Sequence, residues 1–251
     1  MLRFFTLWGF LLALLVGGTE AHARGSAKAA REAYREGQEI GNRGDLAGAI
    51  GKFEEAVRLD PKMELAYLRL GLAYRMTDRW PESLAAYQGA IANARQYKYD
   101  AYDGLAQLYR SMGHLRMAAE SHGRALEEAR KRKRPFPEGH FELALTYIEL
   151  RELDDAIREL REALKLRPDY LRASVRLANT LVANDELDEA QTMFEAMLKK
   201  NPKDRMALYG LGLIEKRRDN REQSREFFDR ACKLGHRASC RETEVRFRTL
   251  H

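Results

Sequence analysis

Several things that an enzyme or a membrane-spanning protein needs are absent from this chain of 251 residues. No HExxH, CxxC, CxxCH or GxSxG stretch occurs, which removes the common metalloprotease, thiol-redox, haem-attachment and serine-hydrolase signatures. Nor is there a phosphate-binding glycine loop. Gly210-Leu211-Gly212-Leu213-Ile214-Glu215 lacks the third glycine and the preceding strand that such a loop requires. The abundant carboxylates are interleaved with Arg and Lys at helical spacing, the pattern of solvent-facing ion pairs rather than of a general acid and its base. No catalytic residue, metal or cofactor is therefore expected. Charge of one sign is also lacking: 44 basic residues face 38 acidic ones, a mixed surface and not a nucleic-acid footprint. Prolines number six, while 33% of residues are charged. With many Ala, Leu, Glu and Arg, which lose little rotamer freedom in a helix, the composition favours an all-α class.

The start of the chain differs from the rest. Met1-Leu2-Arg3 carries one positive charge, Phe4 to Val16 is largely apolar, and Ala21-His22-Ala23 offers small residues at the positions a signal peptidase reads. The apolar run is shorter than the roughly 20 residues that span a bilayer as a helix, and Gly17, Gly18 and Glu20 interrupt it. A cleaved signal over 1–23 is expected, with no membrane span in the mature chain; the alternative is an uncleaved N-terminal anchor.

The dominant feature is self-similarity with a period of about 34 residues. Gly37, Gly71, Ala106, Ala144, Ala178 and Gly212 are each followed three positions later by a larger side chain: Ile40, Tyr74, Tyr109, Tyr147, Leu181 and Glu215. Twelve positions beyond each small residue stands another, Ala49, Ser83, Ala118, Ala156, Ala190 and Ser224. Then come Phe53, Tyr87, His122, Leu160, Phe194 and Phe228, followed by Ala56, Ala90, Ala125, Ala163, Met197 and Ala231. Pro61, Pro168 and Pro202 close three of the units. Small residues at fixed helical spacing let two antiparallel helices approach closely, and the larger side chain fills the gap between neighbouring pairs.

This pattern resembles the tetratricopeptide repeat, six units of which fall in register at 30–63, 64–97, 99–132, 137–170, 171–204 and 205–238. The resemblance implies an all-α, right-handed superhelical solenoid of helix-turn-helix repeats over 24–236, with a capping helix over 237–251. Gly44-Asp45, Gly113-His114, Glu152-Leu153-Asp154 and Asn184-Asp185 are expected between the helices of their units. Lys98 is one extra residue between the second and third units, and Lys133 to Phe136 form a four-residue insertion after the third. The basic run Arg130-Lys131-Arg132-Lys133-Arg134 is expected at a helix end, where cations complement the dipole; contact with an acidic partner or anionic headgroups is the alternative. In the terminal helix, Cys240, Thr243, Phe247 and Leu250 form the packing stripe.

Cys232, His236 and Cys240 are spaced four apart, as metal ligands on one helical face would be. Gly235 breaks that helix, so the cysteines are expected on two consecutive helices across a tight turn. In an exported chain this favours a disulfide that staples the terminal cap, with unpaired thiols and an incomplete three-ligand metal site as alternatives.

The resemblance further implies that the first helix of each unit lines an inner face through positions 2, 5, 9, 12 and 13. There stand Leu65, Leu68, Leu72 and Met76 in the second unit, Phe141, Leu145 and Ile148 in the fourth, and Met206, Tyr209 and Leu213 in the sixth. Either these side chains pack against neighbouring helices or they form an apolar partner-binding face. Arg172, Arg176 and Asn179 in the fifth unit have the residue types of the family's carboxylate clamp, but Asp103, Gln107, Phe141 and Leu145 occupy the positions that the other clamp donors would need. Among exported six-unit members the chain is similar to the pilotins of type IV pili, on the signal, the number of units and the terminal Cys pair. It departs from them at Gly18, which stands where their acylated cysteine would. The expectation is a non-enzymatic periplasmic scaffold that holds an apolar segment of an envelope protein, such as an outer-membrane secretin, and associates with the membrane through that partner. The alternative is a structural adaptor that joins envelope or peptidoglycan-synthesis proteins through its basic or convex surface.

Overall fold

The computed structural model describes residues 25–244. The expected signal over 1–23, and Phe247 and Leu250 of the terminal stripe, lie outside the described residues. The described residues form thirteen helices and no strand. They are α1 (25–42), α2 (Leu46–Leu59), α3 (Glu64–Met76), α4 (Trp80–Asn93), α5 (Lys98–Ser111), α6 (Leu115–Lys131), α7 (Pro137–Leu150), α8 (Leu153–Leu166), α9 (Leu171–Ala183), α10 (Leu187–Lys200), α11 (Arg205–Arg217), α12 (Arg221–Lys233) and α13 (Arg237–Glu244). The chain divides into two compact units, Met1–Glu128 and Ala129–His251, with the division inside α6.

The turn between the two helices of a pair contains one left-handed residue in every case: Gly44, Asp78, Gly113, Arg151, Asp185 and Asp219. From Asp78 onward, the N–H of the next residue reaches back five positions, as from Arg79 to the Tyr74 carbonyl, Glu152 to Tyr147 and Asn220 to Glu215, satisfying carbonyls that the helix end leaves without partners. Leu153 and Asp154, expected in the fourth turn, instead open α8, because Arg151 already supplies the left-handed step. Between pairs the chemistry differs. Asp60, Arg167 and Asn201 precede the three repeat-closing prolines and are held extended, since a following proline disfavours helical backbone. The first break in period is absorbed as helix, whereas Lys133 to Phe136 lie in the non-helical link between α6 and α7. Lys98 becomes the first residue of α5, and α6 runs to 17 residues where α8 has 14.

Packing follows the sequence pattern. Ala49, Ala90, Ala106, Ala118, Ala144, Ala156, Ala178 and Ala190 are at most 1% exposed. Where serine replaces alanine, its hydroxyl finds a partner: Ser83 donates to the Gly71 carbonyl at 2.7 Å and Ser224 to the Gly212 carbonyl at 2.9 Å. Glycine at the eighth repeat position makes room for the aromatic ring of the second helix. A Cβ at Gly71 would stand 2.8 Å from Tyr87, and one at Gly212 would stand 2.5 Å from Phe228. In the second unit the buried side chains form one continuous cluster that runs from Phe141 through Leu160, Leu181 and Phe194 to Ile214.

Candidate functional site

In the first compact unit the inner-face residues of α3 are graded in exposure. Leu65, Leu68 and Leu72 are half-buried and Met76 is 57% exposed. Leu68 also packs against Tyr87, Leu105 and Leu108, so part of its surface already serves the core. Beside this apolar strip lies a polar chain that sequence reasoning did not assemble. Arg75 donates to Gln107 at 3.2 Å, Gln107 donates to Asp103 at 2.8 Å, and Nδ1 of the fully buried His122 lies 3.1 Å from the other Asp103 oxygen. Tyr87 borders the same region; burial pushes its phenol up, opposed by the adjacent Arg75. Arg75 Nε and His122 Nε2 are buried without a hydrogen-bond partner. Asp103 and Gln107 were visible as polar residues on the inner face. His122 stood in a column otherwise filled by Phe, Tyr and Leu, and that misfit was the only available signal.

In the second unit one expectation is corrected. Phe141 is 2% exposed and belongs to the core, with the Tyr170 ring 5.2 Å away and the Arg172 guanidinium 4.9 Å above it. A large aromatic ring at this position is drawn into the gap between α7 and α9, so it is not available to a partner. Leu145, Ile148 and Leu213 are partly exposed and lean on the same core. Met206 is 38% exposed. The half-buried ring of Tyr209 lies between Phe228 at 5.7 Å and His236 at 4.4 Å. Arg172 and Arg176 are exposed and four residues apart on α9, with Asn179 half-buried one turn further on. Other arginines of this unit are committed to carboxylates, Arg161 to Glu189 at 2.7 Å and Arg217 to Asp185 at 3.2 Å.

At the far end of the second unit, Cys232 on α12 and Cys240 on α13 bring their sulfurs to 2.08 Å, with Cα atoms 4.8 Å apart. Gly235, at φ +83°, makes the intervening turn. His236 immediately precedes α13: its Nδ1 accepts the Ser239 N–H at 3.3 Å and lies 2.8 Å from the Ser239 hydroxyl. These contacts engage the three potential metal ligands with each other and with serine. Burial first, and then the positive charge of Arg205, holds the His236 imidazole below its ordinary value. The basic residues 130–134 are all exposed, and Lys131, Arg132 and Arg134 have interactions within the chain. No described helix is long and apolar enough to cross a membrane.

Comparison with known proteins places this architecture. Two family models of the tetratricopeptide repeat match, one at residues 34–98 and 104–170 and the other at 147–214. The chain belongs to the tetratricopeptide repeat family, a family of non-catalytic scaffolds that bind other proteins. Among solved structures it is similar to YrrB, described as a TPR protein with an unusual peptide-binding site, at a TM-score of 0.64 and 20% identity over 76% of this chain and 97% of that one. It is also similar to PilF of Pseudomonas aeruginosa, at a TM-score of 0.69 and 14% identity over 88% of this chain and 99% of that one. Among curated proteins, the uncharacterized protein MJ0572 of Methanocaldococcus jannaschii is 29% identical over 76 residues, which is 30% of this chain and 88% of that protein. At these identities the two solved structures speak for the fold alone.

Proposed function

We propose that the protein is an exported, non-enzymatic scaffold that holds an apolar segment of an envelope protein against the first helices of its repeats. The observation that carries this reading is the partly exposed apolar set Leu65, Leu72 and Met76 on the inner-face positions of α3, within the first compact unit. A helix that leaves large apolar side chains in water offers them to a partner, and an amphipathic helix or extended segment is the natural occupant. The similarity to pilotins, with the N-terminal signal pattern, favours a periplasmic location and an outer-membrane secretin as the partner. A Cys232–Cys240 disulfide in the exported protein is part of the same proposal; two free thiols in the unreduced, denatured protein would exclude it.

The test is site-specific photo-crosslinking from position 72 or 76 in intact envelopes, followed by Leu72→Glu with Met76→Glu. Capture of an envelope protein and its loss in the double variant, with helical circular dichroism unchanged, are expected. Undiminished capture overturns the inner-face reading. Leu68 and Leu145 are poorer probes, because both also pack against the core. The exposed run Arg130 to Arg134 favours a second reading, an adaptor that binds through its basic surface. Neutralising that run abolishes capture under the second reading and leaves it intact under the first.

A further inference from the structure

The connections of the second compact unit fall on two edges with different charge chemistry. Turns within a helical pair share one edge: Asn184 donates to Asp154 at 2.9 Å, and Arg217 meets Asp185 at 3.2 Å. Links between pairs share the other, where Glu138 at the start of α7 pairs with Arg167 before α9, and Arg205 at the start of α11 lies beside Gly235 before α13. On the first edge the charges are spent on one another. Arg158 pairs with Asp155 at 2.6 Å, Arg161 with Glu189, Arg218 with Asp188 and Arg221 with Asp219. On the second edge the exposed Lys199, Lys200, Lys203, Arg205, Lys233 and Arg237 form no ion pair with a described residue. Of the nearby carboxylates, Glu138 is taken by Arg167, Asp204 accepts the N–H groups of Met206 and Ala207, and Asp169 is exposed.

Local helix chemistry accounts for part of this edge, since Lys199, Lys200 and Lys233 complement the C-terminal dipoles of α10 and α12. It does not account for Arg172, Arg205 and Arg237. They stand in the first turns of α9, α11 and α13, which hold no acidic residue and where the dipole disfavours a cation. The same edge carries the large apolar side chains that this unit exposes among its described residues: Leu166 at 41%, Leu171 at 65% and Met206 at 38%. Leu166 ends α8, Leu171 opens α9 and Met206 is second in α11, so each flanks a link between pairs. We propose that this edge binds an anionic phospholipid surface directly. Headgroup phosphates meet the lysines and arginines, and Leu166, Leu171 and Met206 enter the boundary between headgroups and acyl chains. A nucleic acid would engage the cations and leave the aliphatic side chains in water, because its bases stack on aromatic rings. A bilayer takes both from one surface. The proposal does not rest on the inner-face reading of α3.

The experiment uses the full chain with vesicles of phosphatidylcholine mixed with phosphatidylglycerol, and of phosphatidylcholine alone. A photo-reactive phenylalanine is placed at position 171 on this edge or at position 222 on the opposite one. Lipid adducts, read by mass spectrometry, are expected at 171 with the anionic vesicles and on the order of 10-fold fewer at 222 or with phosphatidylcholine alone. Equal labelling at the two positions overturns the proposal, and it does so whether or not residues 1–23 also bind lipid, because the readout is local. Adducts at 171 are expected to fall on the order of 10-fold or more in Lys199→Gln/Lys200→Gln/Lys203→Gln. They are expected to persist in Arg31→Gln/Arg35→Gln/Arg69→Gln, which loses the same charge from exposed positions of the first compact unit. An equal fall in both variants would reduce the effect to net charge and overturns the edge. An unchanged yield in Leu166→Ser/Met206→Ser also overturns it, in favour of a purely electrostatic contact of the kind an acidic protein would make. Leu72→Glu with Met76→Glu should leave every one of these yields unaltered, so the two proposals fail separately.

Discussion

The two compact units are built from the same repeat and have different interiors. In the second, one apolar cluster continues from Phe141 to Ile214, including Leu160, Leu181 and Phe194 at 0% exposure. In the first, the buried apolar side chains fall into separate groups around Phe53 and Tyr74, around Ala56 and Ala66, and around Tyr87 and Leu108. The Arg75–Gln107–Asp103–His122 chain lies beside the last of these groups and claims interior volume for polar atoms. A repeat protein tolerates this because each helical pair is stabilised by its neighbours alone, so one polar layer does not have to be accommodated by a single shared core. Close packing is common to both units; continuity of the apolar core is not.

The largest effect should come from interrupting the continuous core. Leu160→Ala is expected to cost about 3 kcal/mol in chemical denaturation of the full chain, from lost burial and the cavity left behind. Shared close packing should appear next. At Gly210 a Cβ would stand 2.3 Å from Phe194, and at Gly104 it would stand 2.3 Å from Tyr87. Gly210→Ala and Gly104→Ala should therefore each destabilise by about 1–2 kcal/mol, although alanine has the better helix propensity by about 1 kcal/mol. A gain in stability at either site would show that the rings can move aside.

A smaller effect separates the interiors. The repeat position of His122 is held by fully buried Leu160 one unit later, so a leucine there has a structural precedent. His122→Leu should change stability by less than about 1 kcal/mol, whereas Asp103→Ala, which leaves His122 Nδ1 buried without its acceptor, should cost about 1–2 kcal/mol. A cost for His122→Leu as large as that for Leu160→Ala would show that the polar chain is as necessary to the first unit as the apolar cluster is to the second.

The smallest expected effect is on pH dependence at α13. The imidazole of His236 is held below its ordinary value by burial and by Arg205, and its Nδ1 accepts the Ser239 N–H. The undocked form therefore binds a proton more readily than the docked one. Docking should be complete above about pH 6.5 and weaken as pH falls below it. Amide exchange of α13 at pH 5 and pH 7.5, corrected for the intrinsic rate, checks this, and the trend should vanish in His236→Ala.

The repeat register was legible in the sequence because small residues must recur where helix backbones touch. Ala49, Ala118, Ala156 and Ala190 each took the buried site that the pattern assigned. The break at Gly235 between the two cysteines was legible for a similar local reason, as a glycine in left-handed conformation ends a helix. Turn residues were read less completely. Asp78, Arg151 and Asp219 adopt left-handed backbone although only Gly and Asn are strong predictors of it, and the five-residue-back hydrogen bonds hold them there. The basic helix end and the Pro-flanked link of Lys133 to Phe136 were legible, whereas the greater length of α6, 17 residues, was not, since helix length depends on where the chain must next pack.

Local spacing thus determined the all-helical class, the six-fold repeat, most of the small-residue contacts and the adjacency of Cys232 and Cys240. Tertiary structure alone decided which inner-face side chains are spent on the core. It buried Phe141 under Tyr170 and Arg172, left Met76 in solvent, and joined Arg75, Gln107, Asp103 and His122 from three different helices. The physical reason is that a helical period specifies the face on which a residue lies, whereas exposure on that face depends on the volume and polarity of side chains that neighbouring helices bring from 19 to 32 residues away.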